Sequence, residues 1–302
     1  MLWIVFGVVI LTMLILDLGV INRQAHVVKL KEAALWSSAW IALALGFSGL
    51  VAFRLGSEKA FEFLTGYVIE ESLSVDNLFV FLVIFSYFRV PREYEHKVLF
   101  WGIVGVLITR GIFVTAGVAL VHQFYWALYV FGLILIATAI KLVTQREKEV
   151  KPEKNPIVKL FRKLMPVTEA YEGSKFMVKR NGRITATPLL VVLIMIESTD
   201  ILFAVDSVPA VLGITHDPFI VYTSNIFAIL GLRSLFFLLS GIMGLFHHLR
   251  YGLALILGFV GVKLLIADFY KIPVGMTLGV VAFLLTISIA ASLIWPERKP
   301  RE

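Results

Sequence analysis

Apolar runs of about 20 residues recur along the whole of this 302-residue chain. A run of that length spans the roughly 30 Å hydrocarbon core of a bilayer as an α-helix. Only 16% of the residues are charged, 59% are hydrophobic, and the mean hydropathy is +0.89. Because backbone polar groups must be satisfied inside a membrane, the chain is predicted to be an all-α, polytopic membrane protein.

Two short acidic clusters interrupt these apolar runs. Residues 70–77 read EESLSVDN, and residues 197–200 read ESTD, followed by Asp206 and Ser207. An ionisable group at membrane depth is costly, and by default it marks a path for an ion or a proton. Two such clusters at corresponding positions of two half-chains are typical of a transporter with internal repeats.

We predict about nine transmembrane helices. The predicted spans are residues 3–22, 35–54, 61–88, 97–120, 124–143, 188–213, 219–241, 248–268 and 274–295. No Lys or Arg precedes Arg23, so the first span is expected to be a retained helix and not a signal peptide. The predicted organisation is two N-terminal helices (1–56), a first three-helix repeat (57–143), a charged linker (144–187), a second three-helix repeat (188–268), and a last helix with a basic tail (269–302).

The distribution of Lys and Arg predicts the orientation of the chain in the membrane. With the linker in the cytoplasm, the inside segments hold 21 Lys and Arg residues and the outside segments hold three. The N-terminus is therefore expected outside and the C-terminus in the cytoplasm. The linker, with a short surface helix expected around 156–165, is interpreted as a topology signal, and binding to anionic lipid headgroups is the alternative. The same loops account for the net charge of +7, so no nucleic-acid partner is predicted.

The two halves of the chain can be aligned by hand. Asp76 aligns with Asp200 within a shared S-x-D-x-L-F pattern, and Arg110 aligns with Arg233. Each unit holds three spans, so the second unit enters the membrane from the opposite side, and an ion site is expected at the midplane between them. The alternative is chance similarity between apolar helices, but matching charged residues inside spans argue against it.

The third predicted span has an awkward pattern for a straight helix. Glu70 and Glu71 lie on one broad side of that helix, whereas Asp76 points nearly to the opposite side. Either the helix is broken there, or its polar groups serve two different contacts. In the sixth span Glu197 lies three residues before Asp200, so both side chains reach one face.

Every candidate ligand in the two clusters is an oxygen, and the chain has no cysteine. Oxygen ligands suit Mg²⁺, Ca²⁺ or Mn²⁺ more than copper or zinc. The absence of cysteine excludes disulfides, thiolate metal sites and thiol redox chemistry. The alternative to an ion site is a buried ion-pair network that holds helices together, with Arg110 and Arg233 as the cations. No P-loop, HExxH, GxSxG or EF-hand motif is present, so the chain is not predicted to be an enzyme.

The two acidic segments resemble the signatures of a known family. Residues 71–81, ESLSVDNLFVF, and residues 197–210, ESTDILFAVDSVPA, resemble the first and second signatures of the TerC family of membrane proteins. Residues 16–26 and 232–234 look like further family segments. The resemblance covers nearly all of the chain, and the overall pattern is similar to the bacterial Alx-type branch.

This resemblance implies manganese efflux across the bacterial inner membrane, through a secondary transporter that carries Mn²⁺, with Ca²⁺ or Mg²⁺ left open as cargo. Relatives linked to membrane assembly leave an alternative function open. In that function the chain is a non-transporting assembly or metal-delivery partner that holds a structural cation. A homo-oligomer or a membrane-protein partner is also left open. The predicted metal ligands are Glu71, Asp76, Asn77, Glu197, Asp200 and Asp206. The predicted supporting residues are Asp17, Glu70, Ser74, Ser207, Asn225, Arg110 and Arg233.

Overall fold

A computed structural model describes residues 2–15, 30–144, 155–180, 182–240 and 249–294. Helices dominate this part of the chain. In chain order they are α1 (Leu2–Ile15), α2 (Leu30–Leu55), α3 (Ser57–Phe88), α4 (Arg92–Gln123), α5 (Ala127–Thr144), α6 (Pro156–Leu164), α7 (Pro188–Leu212), α8 (Pro218–Ser240), α9 (Leu249–Leu265) and α10 (Val274–Ile294). Two short strands, β1 (Met177–Arg180) and β2 (Arg183–Ala186), pair antiparallel between α6 and α7.

Several helix boundaries follow from local sequence. Pro156, Pro188 and Pro218 each occupy the first position of a helix, where the missing N–H is not needed and the fixed φ suits helical backbone. At the other end of α3, Arg89 takes a left-handed φ of 50°. This residue ends the helix, and Pro91 then precedes α4, so a tight turn joins the two long helices.

The helices suit a membrane, which confirms the predicted fold class. Six of them, α2, α4, α5, α7, α8 and α10, are long and apolar enough to cross a bilayer, and α1 is a shorter apolar helix. The described parts of the nine predicted spans all coincide with helices, although residues 16–22 of the first span lie outside the described residues. The count of nine crossings stays a prediction.

The third span is one continuous helix, α3, and the broken-helix alternative is wrong. Glu70 and Glu71, which the sequence placed on one broad side, contact different neighbours. The predicted contrast with Asp76 stays a prediction, because the structure does not describe that side chain. Glu70 points towards α4 and α8, where it contacts Arg110 and Asn225, whereas Glu71 lies against Gly231 of α8 and Trp40 of α2. Neighbouring residues on a helix are about 100° apart, so one helix can present carboxylates to two interfaces.

The linker is more structured than its sequence indicates. The short helix expected around 156–165 is present as α6, but the β1–β2 hairpin was not predicted. The linker docks beside the α3–α4 turn, because the Tyr171 hydroxyl donates to the carbonyl of Phe88 (2.8 Å) and Lys97 Nζ donates to the carbonyl of Ser174 (2.5 Å). The ends of α3 and α4 that this turn joins therefore lie on the linker side of the molecule.

The helices of the first predicted repeat pack on those of the second. α3 packs on α8, α4 packs on α7, and α5 packs on α9. The α5–α9 contact is close because a Cβ on Gly132 would lie 2.9 Å from the carbonyl oxygen of Gly261, and a Cβ on Gly261 would lie 2.8 Å from that of Gly132. Such packing is expected of an inverted repeat, although the repeat itself stays a prediction.

Candidate ion site

A buried guanidinium joins the two acidic clusters. Arg110 of α4 contacts Asp200 of α7 through two hydrogen bonds, from Nε to Oδ2 (3.1 Å) and from Nη2 to Oδ1 (3.0 Å). Its Nη1 donates to Glu70 of α3 and to the hydroxyl of Ser207 (2.5 Å). The three charged side chains are at most 1% exposed. The arrangement therefore ties α3, α4 and α7 together with charge-assisted, partly bidentate bonds. We call Arg110, Asp200, Glu70 and Ser207 the arginine cluster.

Asn225 of α8 completes the surroundings of Glu70. Its Nδ2 donates to Glu70 Oε2 (2.9 Å), so both carboxylate oxygens of Glu70 are hydrogen-bonded. The Oδ1 atom of Asn225 is buried and has no hydrogen-bond partner among the described residues. A fourth helix is thus joined to the arginine cluster. The Oδ1 atom of the Asn225 amide therefore remains available to accept a hydrogen bond.

The other two glutamates of the clusters have different surroundings. Glu197 of α7 lies against Gly105 of α4, so closely that a Cβ at position 105 would be 2.2 Å from Glu197 Oε1. Glu71 of α3 lies against Gly231 of α8, where a Cβ would be 3.6 Å from Glu71 Oε1. In both cases a carboxylate rests on the surface of a helix from the other half of the chain, at a position without a side chain.

Both of these glutamates carry a bare oxygen. Glu197 Oε1 and Glu71 Oε2 are buried, and neither has a hydrogen-bond partner within the described part of the chain. An ionised carboxylate without a partner is very costly away from water, so such a group is held either protonated or beside a cation. Glu71 and Glu197 can therefore accept a proton or a metal ion, whereas Glu70 and Asp200 are already engaged.

The remaining predicted ligands are spread over several places. Asp206 lies at the α5–α7 contact, where the hydroxyl of Thr138 donates to its Oδ1 (2.8 Å), and it is not among the contacts of Arg110. Ser74 and Asn77 are buried in α3. Asp76 also belongs to α3, but the structure does not describe its side chain, and Asp17 lies outside the described residues.

Arg233 occupies a different environment from Arg110. It is buried in α8 and borders a small cavity between α3, α4, α7 and α8, whose other walls are apolar and include Gly102 and Ile196. The Cβ position of Gly102 is 3.9 Å from Glu197 Oε1, so this cavity lies beside the glutamate. The two arginines that match in sequence therefore do not share one set of contacts.

The predicted ligands whose side chains the structure describes do not form one cluster in this conformation. Among the described side chains, no three Asp, Glu or His groups are close enough together to hold a metal ion. The reason is visible for Asp200, because Arg110 takes both of its oxygens. A cation would bind here only after these side chains rearranged, or with ligands beyond the described ones.

Sequence reasoning missed three kinds of contact. It did not identify Gly105 and Gly231 as the surfaces under the glutamates, and it did not identify Thr138 as the donor to Asp206. It also missed the linker residue Asn155, whose Nδ2 donates to Ser198 Oγ (2.9 Å), directly beside Glu197 in α7. The dipeptide Asn155–Pro156 is a helix-start signal, but nothing in the sequence indicates which membrane helix it meets.

Comparison with known proteins agrees with this architecture. Residues 55–300 match the model of the integral membrane protein TerC family. A membrane protein of Myxococcus xanthus, described as uncharacterised, is 52% identical over 299 residues, which are 99% of this chain and 94% of that protein. Proteins provisionally named membrane-bound redox modulator Alx are 47% identical over 298 residues in Salmonella typhi (96% of this chain, 92% of that protein) and 44% identical over 297 residues in Escherichia coli K12 (95% and 92%).

No solved structure matches this chain. The family match nevertheless covers most of the sequence, and the relatives align along nearly their whole length with this one. The chain therefore belongs to the integral membrane protein TerC family.

Proposed function

We propose that this chain is a secondary transporter, not an enzyme, that exports a divalent metal ion, most readily Mn²⁺, across the bacterial inner membrane. The observation that carries the proposal is the pair of buried carboxylate oxygens without partners, on Glu71 and Glu197. Unpaired carboxylates inside a membrane bundle need a cation or a proton. Carboxylate oxygens suit Mn²⁺, Mg²⁺ and Ca²⁺, and the choice of Mn²⁺ rests on the family resemblance.

The positions of these groups along the helices support loading from the linker side. α7 begins at Pro188, next to the linker, and reaches Glu197 one turn before Asp200. On α4, Gly105 is likewise nearer to the linker-side end than Arg110, by a rise of about 7 Å. Glu197 thus lies between the linker side and the arginine cluster. In an exporter with a cytoplasmic linker, the ion would meet Glu197 first, and the arginine cluster would block the path beyond it.

A redox function is harder to support for this chain. Relatives carry a name that refers to redox modulation. The present sequence has no cysteine, so thiol–disulfide exchange is not available to it. A change of redox state in cells would then be an indirect consequence of altered metal content.

The rival function is a non-transporting membrane-assembly or metal-delivery partner. The arginine cluster favours it, because its charged side chains already hydrogen-bond to one another, and these bonds form without any added cation. A protein that only holds helices together, or presents a bound metal to a partner, needs no path through the membrane.

Metal flux into proteoliposomes that contain only this protein separates the two functions. The wild type should move Mn²⁺, and Glu197→Gln and Glu71→Gln should each reduce the flux at least tenfold, because each removes a charge that offsets the ion. Glu58→Gln is the matched control, since it makes the same change at an exposed position of α3. Absence of flux for well-folded wild type would leave the partner function as the better explanation.

A further inference from the structure

The linker helix α6 has two opposite faces. With 100° between successive residues, apolar side chains fill one continuous side of the helix and basic side chains fill the other. The apolar side consists of Ile157, Val158, Leu160, Phe161 and Leu164, and the basic side consists of Lys159, Arg162 and Lys163. This composition is typical of a helix that lies at the surface of a membrane.

One part of the apolar side packs on the protein. Val158 is buried, and Phe161 packs beside it against the cluster of side chains around α7. Asn155 holds the start of the helix in place, because its Oδ1 accepts from the backbone N–H of Ile157 (2.9 Å) while its Nδ2 donates to Ser198 of α7. The start of α6 is therefore fixed against the membrane helix α7.

The rest of the apolar side has no cover from the described part of the chain. Ile157, Leu160 and Leu164 are 44%, 58% and 76% exposed. They lie at spacings of three and four residues, so they form one stripe. Since α6 runs beside α7, a membrane-spanning helix, the hydrocarbon of the adjacent leaflet is the apolar phase nearest to this stripe.

The basic side is free to bind a partner of opposite charge. Lys159, Arg162 and Lys163 are exposed, and none of them forms a salt bridge with a carboxylate in the residues that the structure describes. Basic residues within reach of anionic headgroups are attracted to them.

We propose that α6 is a binding surface for anionic phospholipids of the leaflet on the linker side. Ile157, Leu160 and Leu164 enter the boundary of the acyl chains, and Lys159, Arg162 and Lys163 contact headgroup phosphates. The occupant is lipid because a soluble phosphate would neutralise the charges but would leave the apolar stripe in water. This inference needs only that the chain is a membrane protein, and it stands whether or not the protein transports metal.

The test uses the whole protein in nanodiscs of phosphatidylcholine, with or without phosphatidylglycerol. Phosphatidylglycerol should raise the Tm of the wild type by about 5 °C or more. The variant K159Q/R162Q/K163Q should lose most of that rise. The matched control K175Q/K179Q/R183Q removes the same charge from exposed positions in or beside the hairpin and should keep it. Equal loss in the two variants, or no loss in either, would overturn the proposal.

Two further measurements identify the occupant. Inorganic phosphate added to phosphatidylcholine nanodiscs should not reproduce the rise in Tm, and an equal rise with phosphate would overturn the assignment to lipid. Because the chain has no cysteine, Leu164→Cys provides a single site for a polarity-sensitive fluorophore. That probe should report an apolar environment in nanodiscs with phosphatidylglycerol, whereas a probe at Lys179→Cys should report water. A water-like signal at position 164 would contradict the proposed insertion.

Discussion

Glu70 and Glu71 are neighbours in the chain, but the structure gives them opposite surroundings. Both oxygens of Glu70 are hydrogen-bonded, one to Arg110 and one to Asn225. Glu71 lies against Gly231 of α8 and Trp40 of α2, and its Oε2 is buried without a hydrogen-bond partner in the described structure. On α7 the same contrast separates Asp200, which Arg110 holds, from Glu197, which rests on Gly105.

This comparison divides the acidic residues into two groups with different physical roles. The carboxylates of the arginine cluster neutralise a buried cation, so their removal should act mainly on stability. Glu71 and Glu197, which lie against Gly231 and Gly105, have no such partner in the described structure. Their removal should therefore act mainly on binding of a proton or a metal. A density of acidic residues in the sequence does not by itself distinguish these two groups.

The largest expected effect comes from removing the shared cation. Arg110→Gln leaves Glu70 and Asp200 buried without their counter-charge, and it should lower the free energy of unfolding by about 3–5 kcal/mol. The measurement is denaturation in detergent at neutral pH. Adding Glu70→Gln and Asp200→Asn to the same chain should recover much of the loss, because the buried charges are then gone. A loss below about 1 kcal/mol for Arg110→Gln would contradict the structural role of the cluster.

The most direct test of the comparison replaces each of the two neighbouring glutamates with glutamine in turn. Glu70→Gln removes a hydrogen-bonded charge and should lower the free energy of unfolding by about 1.5–3 kcal/mol. Glu71→Gln should leave stability unchanged or raise it slightly, because it neutralises an unpaired buried group, but it should abolish stabilisation by added Mn²⁺. Melting curves with and without Mn²⁺ measure both effects. Equal losses of stability in the two variants would remove the distinction between the two groups.

A smaller effect on stability is expected at Gly105, against which the Glu197 carboxylate lies. Gly105→Ala places a Cβ 2.2 Å from the present position of Glu197 Oε1, so the carboxylate must move. A flexible side chain can do so at little cost, and alanine is the better helix former by about 1 kcal/mol, so stability should change little. The Mn²⁺-induced rise in Tm should nevertheless fall.

The control on the same helix is Gly111→Ala, where the new Cβ would meet Tyr222 at an ordinary 3.5 Å. This variant should keep the full response to Mn²⁺ and gain the same helix propensity. An identical response to Mn²⁺ in Gly105→Ala and Gly111→Ala would show that the position of the Glu197 carboxylate does not matter for the ion.

The smallest effect is expected at an exposed carboxylate. Hydrogen bonds from Tyr129 and Tyr125 hold the pKa of Asp268 below its usual range. A lowered folded-state pKa contributes stability that is fully present above the unfolded value of about 3.9 and is lost as pH falls through the folded value. Asp268→Asn should therefore lower Tm slightly at neutral pH, and the difference from wild type should shrink as the pH falls below about 3.9. A difference that grows on acidification would contradict this assignment.

The sequence alone was sufficient for the membrane class, for most helix positions and for locating the two acidic clusters. Apolar runs near 20 residues permit few structures other than membrane helices, because the backbone must satisfy its own hydrogen bonds there. The pairing of Arg110 with carboxylates was among the sequence alternatives for the same reason, since a buried cation in a bundle needs counter-charges. These inferences depend on composition and on spacing within single helices.

Only the tertiary structure decided which side chains and helices surround each carboxylate. Glu70 and Glu71 have the same chemistry and differ by a rotation of about 100° about α3, so their roles depend on which helices pack on each side. The place of Asp206 at the α5–α7 contact and the reach of Asn155 to Ser198 have the same origin. Helix packing sets those neighbours through contacts between residues distant in the chain, and patterns within one segment do not encode them.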